Sequence, residues 1–186
     1  MASGPGLLVL IVGPSGAGKD SLIAYCRERL EGDPNISFPR RAVTRPPGDP
    51  TEDHIALSEP DFDRAARRGA FALHWGAHGL FYGVPATIED DLHAGRTVIV
   101  NVSRAAIPEA RERFRPLLVV SVTVPPEILA ARIAGRGRED AEAAEKRIAR
   151  AAAITVEGPD VVEIDNSGPL EVAGDKLLAL LARAPA

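Results

Sequence analysis

The chain contains a single cysteine, Cys26, among its 186 residues, which excludes an internal disulfide framework and a zinc site built from cysteines. Its longest apolar run, 7–12, is far too short to span a bilayer. Residues 1–6 carry neither the basic segment nor the cleavage site of a signal peptide. We therefore expect no membrane partner and a cytoplasmic location.

Positive charge is also in short supply. The 22 lysine and arginine residues are outnumbered by 26 aspartate and glutamate residues, and the formal net charge is −4. A nucleic-acid-binding protein normally carries a broad basic surface, so this balance argues against nucleic acid as a partner. Small anionic molecules stay open as partners because they need only a local cluster of basic side chains.

The composition is that of a folded domain, with 45% hydrophobic and 26% charged residues. A length of 186 residues suits one domain covering residues 1–186. Nearly continuous apolar runs predict buried parallel strands at 7–12, 97–102, 117–124 and 160–164. Helical patterns separate these strands at 21–30, 86–94, 104–114, 126–136, 141–156 and 170–183. This alternation predicts an α/β fold, in which a parallel sheet carries helices on both faces.

A glycine-rich segment lies between the first predicted strand and the first predicted helix. It runs Gly13-Pro14-Ser15-Gly16-Ala17-Gly18-Lys19-Asp20-Ser21. Its glycines let the backbone turn sharply, so that N–H groups and the helix N-terminus can point at phosphate oxygens. Lys19 adds a mobile positive charge for the outer phosphates. The segment predicts a phosphate-binding loop that binds ATP, with Lys19 as a catalytic residue.

One position of this loop departs from the usual pattern. Asp20 stands where a serine or threonine hydroxyl normally contacts Mg²⁺. Asp20 and Ser21 are therefore the candidate metal ligands, with Asp20 meeting Mg²⁺ directly or holding one of its waters. The alternative is that Asp20 only caps the first predicted helix, where an acidic residue is favoured.

Residues 36–85 differ from the rest of the chain because they consist of short pieces with many prolines and several aromatic residues. This predicts an inserted substrate-binding region, with a loop at 44–53 and one short helix at 61–68. Three histidines fall in it: His54, His74 and His78. Each could hydrogen-bond a sugar hydroxyl or a phosphate, and a structural or surface role is equally open.

Arginines gather around a second glycine-rich turn, at about 132–150. They are Arg132, Arg136, Arg138, Arg147 and Arg150. Guanidinium groups make planar, bidentate contacts with phosphate oxygens, and Gly135 and Gly137 give the turn hinge freedom, so the segment could close over a nucleotide as a lid. Nearby acidic residues leave open the alternative of a solvated face laced with ion pairs.

Four segments in the right order resemble the guanylate-kinase superfamily of nucleoside-monophosphate kinases. They are the loop 13–19, the acceptor-phosphate segment Val43-Thr44-Arg45-Pro46-Pro47, the stretch Gly79-Leu80-Phe81-Tyr82-Gly83-Val84-Pro85, and the arginine-rich 132–147. The resemblance implies a kinase that uses ATP and Mg²⁺, with an acceptor-binding region at about 36–85 and a lid at about 132–150. It implies catalytic roles for Lys19, Arg136 and Arg147, followed by Arg132 and Arg138.

The departures from that superfamily concern the acceptor. Guanylate kinases hold the base with acidic residues, but this chain carries His74 at one such place and Asn101 at another. His54 stands in place of a phosphate-side tyrosine. The resemblance thus implies that the acceptor's phosphate site is kept while its base site is replaced.

These departures resemble a narrower family, the ribose 1,5-bisphosphate phosphokinases of phosphonate breakdown. Its hallmark segments match 18–21, 52–57, 72–75 and 101–104. The resemblance implies transfer of the ATP γ-phosphoryl group to the 1-phosphate of ribose 1,5-bisphosphate, giving 5-phosphoribosyl 1-diphosphate and ADP. The implied partners are a small phosphorylated sugar and ATP. The implied substrate-binding residues are Arg41, Arg45, His54, His74, Tyr82, Asn101 and Ser103.

Two other functions stay open at this point. One is a nucleoside-monophosphate kinase with an altered choice of base, and the other is an interaction module that keeps the fold without catalysis. The intact glycine loop and Lys19 argue against the second. The sequence leaves the oligomeric state open, with a homodimer as the assembly considered.

Overall fold

The computed structural model of the protein describes residues 5–45, 53–134 and 155–182, with the backbone alone at 133 and 134. Its central sheet has five parallel strands: Leu8–Val12 (β1), Ile36–Ser37 (β2), Thr97–Asn101 (β7), Leu117–Thr123 (β8) and Val161–Asp165 (β9). They lie in the order β2-β7-β1-β8-β9, so the strand that leads into the glycine loop is central.

Strand β1 is buried on both faces, and all five of its residues have no exposed surface. Leu8, Leu10 and Val12 belong to the hydrophobic core on one side of the sheet, whereas Val9 and Ile11 belong to the core on the other side. A strand covered on both faces needs apolar residues at every position, which explains the continuous run in the sequence. The prediction of buried parallel strands is confirmed.

The described helices are Lys19–Arg29 (α1), Glu59–Arg67 (α2), Ile88–His93 (α3), Ile107–Arg113 (α4), Pro126–Ala134 (α5) and Leu170–Ala182 (α6). Helices α1, α3, α4 and α6 cover the two faces of this sheet, whereas Phe62 of α2 stacks on Phe71, outside the sheet. Leu22 of α1 and Leu177 of α6 pack into one core, and Ile88 of α3 and Ala110 of α4 pack into the other. The predicted α/β fold is therefore confirmed. In the described ranges, no helix combines the length and the apolar character needed to cross a membrane.

Cys26 illustrates how α1 is packed. Its side chain is fully buried in the core beneath α1. Burial raises the pKa of the Cys26 thiol to about 11 because the thiolate would lose its hydration. At neutral pH the residue is therefore a protonated, hydrophobic packing group.

A second, smaller sheet lies in the region 36–85. Its strands are Ala42–Val43 (β3), Ile55–Ala56 (β4), Phe71–Ala77 (β5) and Leu80–Pro85 (β6), in the order β4-β3-β6-β5. Strands β5 and β6 form a hairpin whose two turn residues, His78 and Gly79, both have positive φ angles, of 52° and 72°. Two such residues make the turn type that matches the twist of a hairpin. The sequence analysis expected only short pieces here and missed this sheet.

The helix boundaries also show some differences from the sequence. The short helix predicted at 61–68 begins at Glu59, because the hydroxyl of Ser58 accepts a hydrogen bond of 3.2 Å from the backbone N–H of Asp61 and so caps it. A 3₁₀ turn at Arg104–Ala106 replaces the start of the helix predicted at 104–114. Of the helix predicted at 141–156, residues 155 and 156 are not helical and the others lie outside the described residues.

Candidate active site

The loop between β1 and α1 depends on three glycines. Gly16 and Gly18 have φ angles of 85°, and Gly13 has a φ angle of 151°, values that residues with a side chain rarely adopt. Space is also lacking, because a Cβ atom at Gly13 would lie 2.5 Å from the backbone oxygen of Val122. This backbone conformation lets phosphate groups approach the loop closely, as the sequence pattern predicts.

Lys19 is the first residue of α1, and its side chain folds back over the loop. Its Nζ atom donates hydrogen bonds of 2.9 Å to the backbone oxygens of both Gly13 and Pro14. These carbonyls hold the ammonium group against the loop. The positive charge is thus kept where the outer phosphates of a nucleotide would enter.

Asn166 is a buried polar residue that the sequence analysis missed. Its side-chain amide donates a 2.7 Å hydrogen bond to the backbone oxygen of Ala17, and its backbone N–H donates one of 2.9 Å to Thr123. Its own backbone oxygen accepts a 2.9 Å hydrogen bond from Arg132. Asn166 directly follows β9, at the carboxyl edge of a parallel sheet where ligand sites form, and that position is the signal that could have found it.

We expect Asn166→Ala to weaken the loop. Asn166 is 3% exposed, so its loss leaves the oxygen of Ala17 buried without this donor and should lower the free energy of unfolding by about 1–3 kcal/mol. Urea unfolding and the KM for ATP measure the effect, and we expect KM to rise about tenfold. Asn35→Ala is the control, because the Asn35 side chain is exposed and its amide donates to the nearby Asp33. Equal stability of the two variants would contradict this role.

Asp20 does not act as the cap of α1. Gly18 occupies the N-cap position of α1, and the helix has no hydrogen bond to a capping side chain. Asp20 lies in the first turn, where a negative charge suits the helix dipole. Its Oδ1 atom accepts a 2.6 Å hydrogen bond from Nδ2 of Asn101, at the end of β7. A neighbouring strand therefore holds this carboxylate beside the loop.

Arg41 connects the small sheet to this point. Its guanidinium group is buried and donates a 2.9 Å hydrogen bond to the backbone oxygen of Asn101. The same group lies 5.4 Å from the ring centre of Tyr82 and 5.9 Å from that of Trp75. The two rings stack on each other at 5.7 Å and are largely buried, so Trp75 is a core residue beside Arg41.

Arg45 lies near the same tyrosine. Its Nη2 atom is 3.5 Å from the hydroxyl oxygen of Tyr82, a long hydrogen bond. Thr44 fixes the backbone there, since its N–H donates to the oxygen of Phe81 at 3.0 Å and its hydroxyl accepts from the N–H of Phe81 at 2.9 Å. The structure thus brings together the two segments, 43–45 and 79–85, that the resemblance assigns to an acceptor phosphate.

A pocket of about 240 Å³ lies between Asp20, at the end of the glycine-rich segment, and Arg41, next to the small sheet. Its lining residues are Asp20, Ile23, Ala24, Arg27, Pro39, Arg41, Asp53, Ile99, Val100 and Asn101. Arg41 and Asp20 lie on its wall together, so a basic group of the acceptor region and an acidic group of the loop face one cavity.

His74 and His78 are not brought to this pocket. His74 is exposed on the face of the small sheet opposite to Trp75, and its ring centre is 6.5 Å from that of Phe62. His78 is exposed in the hairpin turn, and what it contributes to the structure is the positive φ angle of that turn. A substrate contact of His74 stays a prediction without support from this geometry.

His54 and Ser103 have more sheltered positions. His54 is buried, and its backbone oxygen accepts a 3.0 Å hydrogen bond from Arg40. The hydroxyl of Ser103 accepts a 3.3 Å hydrogen bond from the N–H of Ala105 and caps the 3₁₀ turn. Burial lowers the pKa of the neighbouring Arg104 because the guanidinium loses hydration. Contacts of His54 and Ser103 with substrate remain predictions.

Only the beginning of the arginine-rich segment can be described. Arg132 lies on α5, and its bond to Asn166 places it near the glycine loop. Arg136, Arg138, Arg147 and Arg150 lie outside the described residues. The lid and its catalytic arginines therefore stay a prediction from the sequence.

A parallel sheet, a glycine loop with a lysine at the start of the next helix, and an arginine-lined pocket beside it define a phosphotransferase of the P-loop kinase class. The fold is similar to that of guanylate kinase from Anaplasma phagocytophilum, with a TM-score of 0.72 and coverage of 100% of this chain and 89% of that chain. At 20% sequence identity this likeness shows the fold alone. Models of known protein families give no match.

Relatives of known name are much more similar in sequence. A protein from Acidiphilium cryptum is 54% identical over 178 residues, covering 96% of this chain and 93% of its own. Another, from Thiobacillus denitrificans, is 45% identical and covers 97% of this chain and 95% of its own. Both are named ribose 1,5-bisphosphate phosphokinase PhnN. The chain belongs to the ribose 1,5-bisphosphate phosphokinase family, which confirms the resemblance found in its segments.

Proposed function

We propose that the protein transfers the γ-phosphoryl group of ATP to the 1-phosphate of ribose 1,5-bisphosphate, giving 5-phosphoribosyl 1-diphosphate and ADP. Its membership of the family supports this reaction. The observation that carries it in the structure is the pocket in which Asp20 and Asn101 of the loop side meet Arg41 of the acceptor side. A donor phosphate on the loop and an acceptor phosphate beside Arg41 would be close together.

The chemistry of this reaction is mainly electrostatic. A phosphate oxygen is already anionic near neutral pH, so the acceptor needs no general base. The difficulty is to bring two highly charged molecules into line, which requires positive groups in fixed positions. Lys19 supplies one such group at the loop, held by two backbone carbonyls. Arg132, Arg136, Arg138 and Arg147 are the proposed further cations, and their closure over the nucleotide would exclude water.

Mg²⁺ fits the oxygen donors at the mouth of the loop. Magnesium binds few protein groups directly and keeps waters and phosphate oxygens as its other ligands. The Asp20 carboxylate and the Ser21 hydroxyl, both on exposed residues of the first turn of α1, supply hard oxygen atoms of this kind. When bound, the ion would neutralise part of the phosphate charge. Asp20 and Ser21 are the proposed groups that hold it.

The acceptor side is assigned to the small sheet and its neighbours. Arg41, Arg45 and Tyr82 are the proposed ligands of acceptor phosphate, since guanidinium groups and a hydroxyl suit phosphate oxygens. His54 and Ser103 are proposed to contact the sugar from the same side. The proposed partners are small molecules alone, and we place the reaction in the cytoplasm.

A comparison of acceptors tests this function. We expect the protein to turn over ribose 1,5-bisphosphate with ATP and Mg²⁺, with a kcat/KM at least about 100-fold above that for GMP, AMP, CMP or UMP. That factor corresponds to about 2.7 kcal/mol of discrimination. Coupled detection of ADP measures all acceptors in the same way. Strong turnover of GMP with none of the bisphosphate would identify a nucleoside-monophosphate kinase, and no turnover of any acceptor would favour the interaction module.

A further inference from the structure

Asp20 and Asn101 occupy the two places at which P-loop phosphotransferases usually hold their metal. In such enzymes, a serine or threonine of the loop and an aspartate on a neighbouring strand share this task. Strand β7 lies next to β1, and Asn101 is the partner of Ile11 in the register, just before the loop begins. This chain thus has an acid on the loop and a neutral amide on the strand.

The contact between these side chains depends on this distribution of charge. Nδ2 of Asn101 donates to Oδ1 of Asp20 at 2.6 Å, a short hydrogen bond between an amide and a carboxylate. Two carboxylates at this distance would repel each other, and two neutral groups would leave the pair without negative charge. A carboxylate paired with an amide therefore forms a hydrogen bond and still presents a negative charge to a cation.

Asn101 is well suited to hold Asp20 in a fixed direction. It is 8% exposed, and its backbone oxygen accepts the hydrogen bond from the buried guanidinium of Arg41. Asp20, by contrast, is exposed at the mouth of the loop. A carboxylate has about four lone-pair sites on its two oxygens, so accepting one hydrogen bond leaves capacity for a metal ion or its waters.

We propose that the acid and its neutral partner have exchanged places in this chain. Asp20 supplies the metal-binding carboxylate from the loop, and Asn101 is a positioning residue that orients it, rather than a ligand of the substrate. This inference rests on the proposed function in that it assumes a nucleotide-bound metal at the loop. It explains why the unusual loop residue and the missing strand acid occur together.

Reversing the exchange tests this idea. The variants are Asp20→Ser, Asn101→Ala, and the double variant Asp20→Ser/Asn101→Asp, which returns the acid to the strand. The matched control is Asp20→Ser/Ala24→Asp, which restores a carboxylate to the same pocket from the next turn of α1. Binding of Mn²⁺ in the presence of a non-hydrolysable ATP analogue is measured by electron paramagnetic resonance, and thermal unfolding verifies that each variant is folded.

We expect Asn101→Ala to weaken Mn²⁺ binding by about 10- to 100-fold, the range found when groups that orient metal ligands are removed, and Asp20→Ser to weaken it by at least about tenfold. The double variant should regain most of this affinity, and the Ala24→Asp control should not. The proposal is overturned if the double variant binds no better than Asp20→Ser, if the control rescues equally, or if Asn101→Ala binds like the unmodified protein.

The measurement separates this inference from the proposed reaction. It contains no acceptor, so a kinase acting on another acceptor would still show the rescue. The unmodified protein could turn over ribose 1,5-bisphosphate while the double variant fails to regain Mn²⁺ affinity. That result would support the proposed function and refute only the exchange of the acid and its neutral partner.

Discussion

Lys19→Ala is expected to lose nearly all phosphoryl transfer while keeping its fold. The Lys19 ammonium is held at the loop by the oxygens of Gly13 and Pro14, so its positive charge is already in place where the outer phosphates of the nucleotide would lie. Removal of one preorganised group that stabilises transition-state charge costs about 10² to 10³ in kcat. We expect a loss at the upper end, on the order of 10³, because a full charge is removed.

The control for this experiment is Lys176→Ala. Lys176 is exposed on α6 and contributes the same change in net charge away from the loop. Steady-state rates at saturating ATP and acceptor give kcat, and thermal unfolding gives the stability of both variants. If Lys19→Ala keeps the activity of Lys176→Ala, the loop does not supply the catalytic charge and the proposed mechanism is wrong.

Arg41→Ala is expected to have the second largest effect. Arg41 is 7% exposed and links the small sheet to Asn101 by a hydrogen bond of 2.9 Å. A hydrogen bond to a charged group contributes about 1.5–3 kcal/mol, so loss of one such bond to acceptor phosphate corresponds to a rise of about 10- to 100-fold in the KM for ribose 1,5-bisphosphate. We expect kcat to fall as well, because the backbone oxygen of Asn101, whose side chain holds Asp20, loses its hydrogen bond from Arg41.

Two further variants test whether the planar guanidinium group of Arg41 itself is needed. Arg41→Lys keeps the charge but not the planar fork, and we expect it to recover only part of the lost affinity. Arg67→Ala is the control, since Arg67 lies on α2, does not line the pocket and forms an exposed ion pair with Asp63 at 2.5 Å. Exposed ion pairs contribute little, so Arg67→Ala should remain within about twofold of the unmodified protein. Equal KM values for Arg41→Ala and Arg67→Ala would show that Arg41 does not bind the acceptor.

The central part of the fold can be predicted from the sequence because its information is local. Strand β1 is apolar at every position since both of its faces are buried, and helices such as α6 show a regular spacing of apolar residues. The glycine loop is predictable for the same reason, because its phosphate-binding groups are consecutive in the chain. These elements need no knowledge of distant contacts.

The small sheet could not be predicted in the same way. Strands β3 and β4 have two residues each, too few for any periodic pattern. Strands β5 and β6 are longer, but their turn is His78-Gly79, and a histidine with positive φ is a weak signal for a hairpin. This sheet forms by pairing of strands that are up to several tens of positions apart, and local sequence patterns do not reveal such pairing.

The residues that complete the site were also beyond local reasoning. Asn166 reaches Ala17 across 149 positions, and Asn101 reaches Asp20 across 81 positions. These contacts follow from the order of the strands in the central sheet, which a single sequence does not display. His74 is the converse case, because the sequence selects it as a substrate-binding residue. The structure places it on the face of β5 that points away from the pocket.

The contact between Asn166 and the loop also affects when the nucleotide site can form during synthesis. Domains begin to fold from their N-terminal part as the ribosome releases it. Here the loop at residues 13–18 is released well before the amide that fastens it, which arrives only with residue 166, after β9. A nascent chain that carries the complete loop sequence therefore still lacks this hydrogen bond, and we expect nucleotide to stabilise the folding protein fully only after β9 and Asn166 have been added.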